Sequence, residues 1–540
     1  MNSQLPAEHD HFIGELQSID TSTASAQLDM ATLIAARQTG DSALASAGTV
    51  GSLVKMRVDD LYLIASIREM KIGTPGAAQA TASLEFIGEG NYSTETGLKS
   101  FKRGISRYPF PGDRIYAVSQ DDLLRIHGTD DKPHIRVGTV FPSSDVPASL
   151  YIDSLLGRHF AVMGSSGSGK SSFVSLILNR LTERLPHGHI ILFDTHGEYA
   201  PAFAGKSLQL NTGNLLLPYW LLNFEEHAEI FITAEGEAGD MDRDVLAKCL
   251  LKARTRNNLS IPVSKITVDS PIPYLLGDLT SILESEMGKL EKSGNAANYM
   301  RLKFKIQEIS NDPRYNFMFN RSLISDTMES FLADLLRLPP DNAPMTLIDI
   351  SGIPSEIVKV VVSLIARLTF DFSIWAKHDG TRPILLVCEE AQQYLPHDRS
   401  GSVTSVQKIL QRIAKEGRKH GISLGLISQR PSDLSEGVLS QCGTIMAMRM
   451  TTERDQQFIR SAMPEWSKSL LDAVPSLRNQ ECIICGEGVS LPIRVRIDNL
   501  DKSMLPASAD PAFSTSWQTT GGESELLRST IQRWRNQGME

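Results

Sequence analysis

Gly164-Ser165-Ser166-Gly167-Ser168-Gly169-Lys170-Ser171 is the stretch that decides the fold of this chain. It matches G-x-x-x-x-G-K-[S/T], in which glycines let the backbone wrap phosphate oxygens and successive N–H groups point at an anion. Its surroundings fit. An apolar run at 159–163 reads as a buried strand before the loop, and residues 171–185 have helical periodicity after it. A Gly/Ser linker that merely contains a lysine lacks such flanks. The spacing predicts strand, phosphate loop and helix, with ATP as ligand and the helix N-terminus facing the anion. Lys170 then sets a charge between the β- and γ-phosphates, Ser171 ligates Mg²⁺, and Ser172 reaches the α-phosphate side.

Hydrolysis needs one carboxylate for the metal and another for water. Residues 384–388 form an apolar run that ends in Glu389-Glu390. Glu389 is expected to hold Mg²⁺ through its water shell, and Glu390 to orient and deprotonate the attacking water. Many P-loop enzymes place Asp at the first position, so Glu389 lengthens the reach. The next apolar run ends in Ser428-Gln429-Arg430-Pro431. Gln429 is the expected sensor of the γ-phosphate and the water, although the tip of such a strand is commonly polar anyway.

Between these runs Val403, Val406, Leu410 and Ile413 make one helical stripe, with Lys408, Arg412, Lys415, Arg418 and Lys419 elsewhere around it. A solvated basic face explains such a run. The alternative is a segment that reaches a neighbouring subunit's site, where an arginine neutralises charge on the transferred phosphoryl group. Arg418 is the first choice for that finger and Arg449 the second.

Outward from this core, the first 140 or so residues read as all-β. Short runs at 12–16, 50–58, 61–67, 82–87 and 114–118 are separated by Gly, Asn, Asp and Pro turns, the pattern of a small barrel or sandwich. Residues 20–48, rich in Ser, Thr and Ala, read as a long loop. From about 150 apolar strands alternate with helices at 159–163, 190–194, 345–350, 383–388, 422–428, 443–449 and 482–485, which predicts a parallel sheet covered on both faces. Residues 224–338 have helix-period sequence, with Val245, Leu246, Cys249 and Leu250 on one side, and read as a helical insertion. The expected domains are a barrel over 1–145, an α/β ATPase domain over 146–500 and a tail over 501–540 that ends in a helix at 523–536.

The chain has 540 residues, 41% hydrophobic and 22% charged, with a net charge of −9. That charge argues against a generally basic nucleic-acid coat and leaves room for a local basic lining. No secretory signal is read at the polar start, and the apolar stretch at 360–375 is broken by Arg367 and Asp371, so it reads as a core helix rather than a membrane span. Cys482 and Cys485 form a lone C-x-x-C inside a strand-like run, which suggests buried thiols rather than zinc. A reducing, cytoplasmic setting is expected.

Taken in order, the run from His159 to Ser171, Phe193-Asp-Thr-His-Gly-Glu-Tyr199, Glu389-Glu-Ala391, Glu416-Gly-Arg-Lys-His-Gly421, Ser428-Gln-Arg-Pro431 and Leu439-Ser-Gln-Cys442 resemble the HerA family of bacterial and archaeal translocases, relatives of FtsK. The resemblance covers about 150–450, and the family's N-terminal barrel and helical insertion match the organisation read above. It implies a homo-hexamer of RecA-like domains with ATP at the interfaces and double-stranded DNA through the pore. It places Asp194 and Glu198 in an acidic motif that tunes the metal site, with Thr195 where the family usually has proline. The loop at 396–402, with His397 and Arg399 and helped by Lys408, is the expected pore contact. Partners implied are a nuclease such as NurA, or an antiphage effector (a sirtuin-type NADase or a nuclease), docked on the barrel. Two other readings stand beside translocation: a ring scaffold that gates such an effector, and a conjugation or secretion ATPase.

Overall fold

The computed structural model describes residues 10–536, except 73–76, 94–96, 130–131, 257–260, 290–295, 321–322, 324, 398–402, 464–467, 508–512 and 519–522. The chain forms two compact units. One comprises residues 1–184, 390–392 and 423–502, and the other residues 185–389, 393–422 and 503–540.

The first unit opens with β1 (His11–Ile19), β2 (Thr23–Asp29), β3 (Leu53–Val58), β4 (Leu61–Ile72), β5 (Gln79–Ser93), β6 (Gly97–Leu98), β7 (Lys102–Arg103) and β8 (Arg114–Ala117). Six of them run in the order β2-β1-β8-β3-β4-β5, and β2 pairs again with β5, so the sheet closes into an antiparallel barrel. Met56, Leu63 and Ile115 are fully buried inside it, and burying each such side chain contributes about 1.5–3 kcal/mol. The loop expected over 20–48 is not a loop. Residues 23–29 are the strand that closes the barrel, followed by helices Met30–Arg37 and Ser42–Ala45. Ala24, Ala26 and Leu28 alternate inward on it. Small side chains suit a narrow interior yet carry little hydrophobic signal, which is why the stretch reads as unstructured.

The remaining strands are β9 (His134–Val140), β10 (Pro147–Tyr151), β11 (His159–Met163), β12 (Ile190–Asp194), β13 (Ser207–Leu210), β14 (Met345–Asp349), β15 (Ile384–Cys388), β16 (Ile422–Ser428), β17 (Cys442–Met448), β18 (Glu481–Gly486) and β19 (Ile493–Ile497). In the first unit the order is β10-β9-β19-β18-β17-β11-β16. β11 lies parallel between β16 and β17, and all five of its residues are buried. From β17 outward the pairing turns antiparallel through β18, β19, β9 and β10. Within this unit the expectation of a parallel sheet therefore holds only around β11. The strand with Cys482 and Cys485 runs antiparallel, and its two thiols are buried and form no disulfide. β9, at the end of the stretch read as barrel, pairs instead with β10 and β19.

In the second unit β15, β12, β14 and β13 are all parallel. Between β13 and β14 the chain inserts helices Phe224–Phe231, Gly236–Arg256, Leu276–Gly288, Ala296–Asn311 and Met328–Leu336. Leu246, Cys249, Leu250 and Ala253 form the buried stripe of the longest of them. Helix Ser355–Trp375 buries Val360, Val361, Leu364, Ile365 and Leu368. Its Arg367 donates to Glu226, a fully buried carboxylate that also accepts from Ser363 Oγ at 3.0 Å. That pairing is what allows two charges inside a helical core. Among the described residues no helix is long and apolar enough to cross a membrane.

Candidate active site

The phosphate loop follows β11. Gly167 and Gly169 have φ of +73° and +96°, values that L side chains rarely adopt. At Gly164 the limit is space: a Cβ would stand 2.8 Å from Met448 Cβ and 2.8 Å from Ser168 Oγ. The loop is tied to its neighbours, with Gly164 N donating to the Ser428 carbonyl at 3.3 Å and Ser165 N and Oγ both donating to the Arg449 carbonyl at 3.0 and 2.9 Å. Lys170 starts helix Lys170–Arg184, is 7% exposed, and donates from Nζ to the Ser165 carbonyl at 2.9 Å. Its charge thus lies across the mouth of the loop. Ser171 and Ser172 are half-buried in the first helical turn, while Ser166 is exposed.

Glu390 belongs to the same unit. It is 6% exposed and sits at φ +47°, a left-handed conformation that costs a non-glycine residue about 1–2 kcal/mol. Two amides hold its carboxylate: Gln429 Nε2 donates to Oε1 and Gln392 Nε2 donates to Oε2. The carbonyl end of the Gln392 amide accepts from Ser428 Oγ at 2.7 Å. Since Ser428 ends β16 and its carbonyl receives Gly164 N, one short network joins the phosphate loop to Glu390. The sequence pairs Glu390 with Gln429, and the structure brings them together. It does not foretell Gln392, whose only sequence signal is its place two residues beyond an acidic pair.

Glu389 belongs to the second unit and is 3% exposed. Thr195 donates twice to its Oε2, from N at 3.1 Å and Oγ1 at 2.9 Å. Burial first, and then the neighbouring Asp194, push the Glu389 carboxyl up to about 8, while the two Thr195 bonds pull it back. Asp194 is fully buried at the end of β12 and accepts from the N–H groups of His196, Gly197, Glu198 and Tyr199 at 2.8 to 3.2 Å. Burial raises its pKa and those amides lower it. Thr195, which stands where the family usually has proline, is a direct partner of Glu389.

The solved structure of VirB4 of Thermoanaerobacter pseudethanolicus is similar with a TM-score of 0.50 at 14% identity, over 69% of this chain and 99% of that one, which shows a shared fold. Residues 135–369 match the family described as helicase HerA, central domain. The DNA double-strand break repair helicase HerA of Pyrococcus furiosus is 26% identical over 72% of this chain and 73% of its own length. The protein of the same name from Sulfolobus acidocaldarius is 27% identical over 79% and 80%.

The chain is a P-loop ATPase that is similar to HerA helicases over most of its length. Its architecture is a RecA-like P-loop ATPase domain with an inserted helical subdomain, preceded by an all-β barrel. The remaining predicted residues of this HerA-like ATPase are placed as follows. Arg418 is exposed in the turn Gly417–His420 after helix Ser405–Glu416. Arg449 is half-buried, with its carbonyl on the phosphate loop of its own chain. His397 and Lys408 are exposed, and Lys408 stands 4.0 Å from Glu225. Arg399 lies outside the described residues. Of the predicted stripe, Val406, Leu410 and Ile413 are buried, whereas Val403 precedes the helix and is 37% exposed.

Proposed function

We propose that this HerA-like ATPase is a hexameric motor that hydrolyses Mg²⁺-ATP to move along double-stranded DNA. The observation that carries the hydrolytic part is the network from Gly164 through Ser428 and Gln392 to Glu390 and Gln429, which couples the phosphate loop to a fixed carboxylate. In this reading residues 164–172 hold the triphosphate. Glu390 takes the proton of the attacking water, and Gln429, bonded to that carboxylate, senses the γ-phosphate.

Ser171 and Glu389 are the proposed residues for Mg²⁺. Their fit rests on the donor set: hard oxygen ligands, with a Glu389 carboxyl pushed up first by burial and then by Asp194, which a divalent cation would return to its charged form. Among the described residues no cluster of three His, Cys, Asp or Glu could hold a metal alone, as suits an ion carried in with phosphates. When bound, the ion neutralises charge on the phosphoryl oxygens. Arg418, exposed and at the end of a basic helix, is the proposed finger toward a neighbouring subunit. Arg449, whose main chain holds the Ser165 end of the loop, is the second candidate for that finger.

The DNA part rests on the relatives, which are named DNA double-strand break repair helicases. His397, Arg399 and Lys408 are the proposed phosphate contacts. The barrel is the proposed dock for a nuclease or antiphage effector, and its Phe110, 75% exposed, is an apolar handle for such a partner. The test is ATP turnover with and without duplex DNA at rising salt. Turnover stimulated by duplex, with stimulation falling steeply as salt rises, is expected from phosphate contacts. Turnover indifferent to DNA but required by an effector would favour a gating scaffold instead.

A further inference from the structure

Five consecutive residues after β12 show a division of labour. The Asp194 carboxylate receives the N–H groups of His196, Gly197, Glu198 and Tyr199, and its own carbonyl receives Ile350 N at 3.0 Å. These bonds suffice to fold the turn. Thr195 is skipped by that set. Its N–H and Oγ1–H both converge on Glu389 Oε2. A cap that served only the turn would bond within it, and Thr195 instead bonds a carboxylate 194 positions away.

We propose that Thr195 is a positioning residue for the ATPase reaction, fixing the rotamer of Glu389 so that the metal-side carboxylate is aimed before nucleotide arrives. The inference rests on the reading of Glu389 given above. Glutamate has one more rotatable bond than aspartate, so a buried glutamate at this point loses more rotamer freedom on being aimed. Two donors on a single oxygen remove that freedom in the folded protein, and neither bond falls on Oε1. Preorganisation of this kind acts on the rate rather than on nucleotide affinity.

The full-length variants T195V, T195A, T195S and E389A test it, with four measurements on each: kcat, KM for ATP, the Mg²⁺ concentration at half-maximal rate, and binding of a fluorescent ATP analogue. T195V and T195A are expected to lower kcat about tenfold and raise the Mg²⁺ requirement while binding the analogue normally, and T195S, which keeps both donors, to stay within about twofold of the parent. A parental kcat and Mg²⁺ response in T195V or T195A, with E389A inactive, overturns the role of Thr195. So does a T195S as slow as T195V, since the hydroxyl is then irrelevant. An E389A enzyme with parental kcat overturns the underlying reading of Glu389 instead.

Discussion

Gln429, one residue beyond the end of β16, donates its side-chain amide to Oε1 of Glu390, which sits in a left-handed turn of the backbone. Gln392 meets the other oxygen, so the proposed base is held on both sides by neutral donors. Such donors orient a carboxylate without cancelling its charge. E390Q keeps the shape and removes the base, and ATP turnover is expected to fall about 100- to 10,000-fold. Nucleotide binding is expected to persist, which an equilibrium assay with labelled ATP checks. Q429A keeps the base and frees it, so it is expected to lose less than E390Q.

Arg418 is proposed to serve a neighbour rather than its own subunit, and mixing separates the two cases. R418A and K170A are each expected to lose about 1,000-fold or more in turnover, the scale of an arginine finger. Mixed rings contain interfaces that pair an intact Lys170 with an intact Arg418. Activity recovered on mixing the two variants is the expected outcome, and a mixture as inactive as its parts places Arg418 in cis.

The helical insertion carries its own prediction. Arg367 donates to a fully buried Glu226, which loses its counter-charge when the guanidinium is removed. R367A is expected to destabilise the fold by about 3–5 kcal/mol, because it strands a buried charge. The E226Q/R367M double variant, which removes both charges, is expected to lose less. Denaturant unfolding midpoints followed by circular dichroism report the difference.

His227 is fully buried, with Nδ1 2.7 Å from the Asn223 carbonyl and Nε2 2.7 Å from Tyr274 Oη. A carbonyl only accepts, so Nδ1 carries the proton and Nε2 accepts from the tyrosine. Burial pushes the pKa of His227 down to about 3. Above pH 6.5 the ring is neutral folded and unfolded, and stability does not depend on it. Below 6.5 the unfolded chain takes a proton that the folded one refuses, so stability falls by about 1.4 kcal/mol per pH unit until pH 3. His127, pushed down to about 4 by burial, adds to the same slope. H227Q is expected to flatten the loss between pH 6.5 and 5, measured as the shift of the unfolding midpoint.

Legibility followed locality. The phosphate loop depends on eight neighbouring residues, and β11, β12 and β16 are short continuous apolar runs, so each can be read without knowing what lies beside it. β2 could not be read that way, because Ala24 and Ala26 are inward-facing only in a closed barrel. Nor could the direction of β18: Cys482 to Cys485 fit a buried strand of either sense, and its pairing with β17 is a tertiary fact. The acidic pair was legible as chemistry but not as geometry. Thr195 reaches Glu389 from another strand, and Gln392 bridges Ser428 to Glu390 across a turn, contacts that no spacing encodes.

The central claim, that ATP hydrolysis at this site moves the protein along duplex DNA, is tested most directly by displacement of a labelled third strand from a triplex on double-stranded DNA. The parent protein with Mg²⁺-ATP is expected to strip the third strand, and neither E390Q nor the parent with a non-hydrolysable ATP analogue is expected to do so. Displacement by E390Q equal to the parent, or an active ATPase that never displaces the strand, would contradict the account.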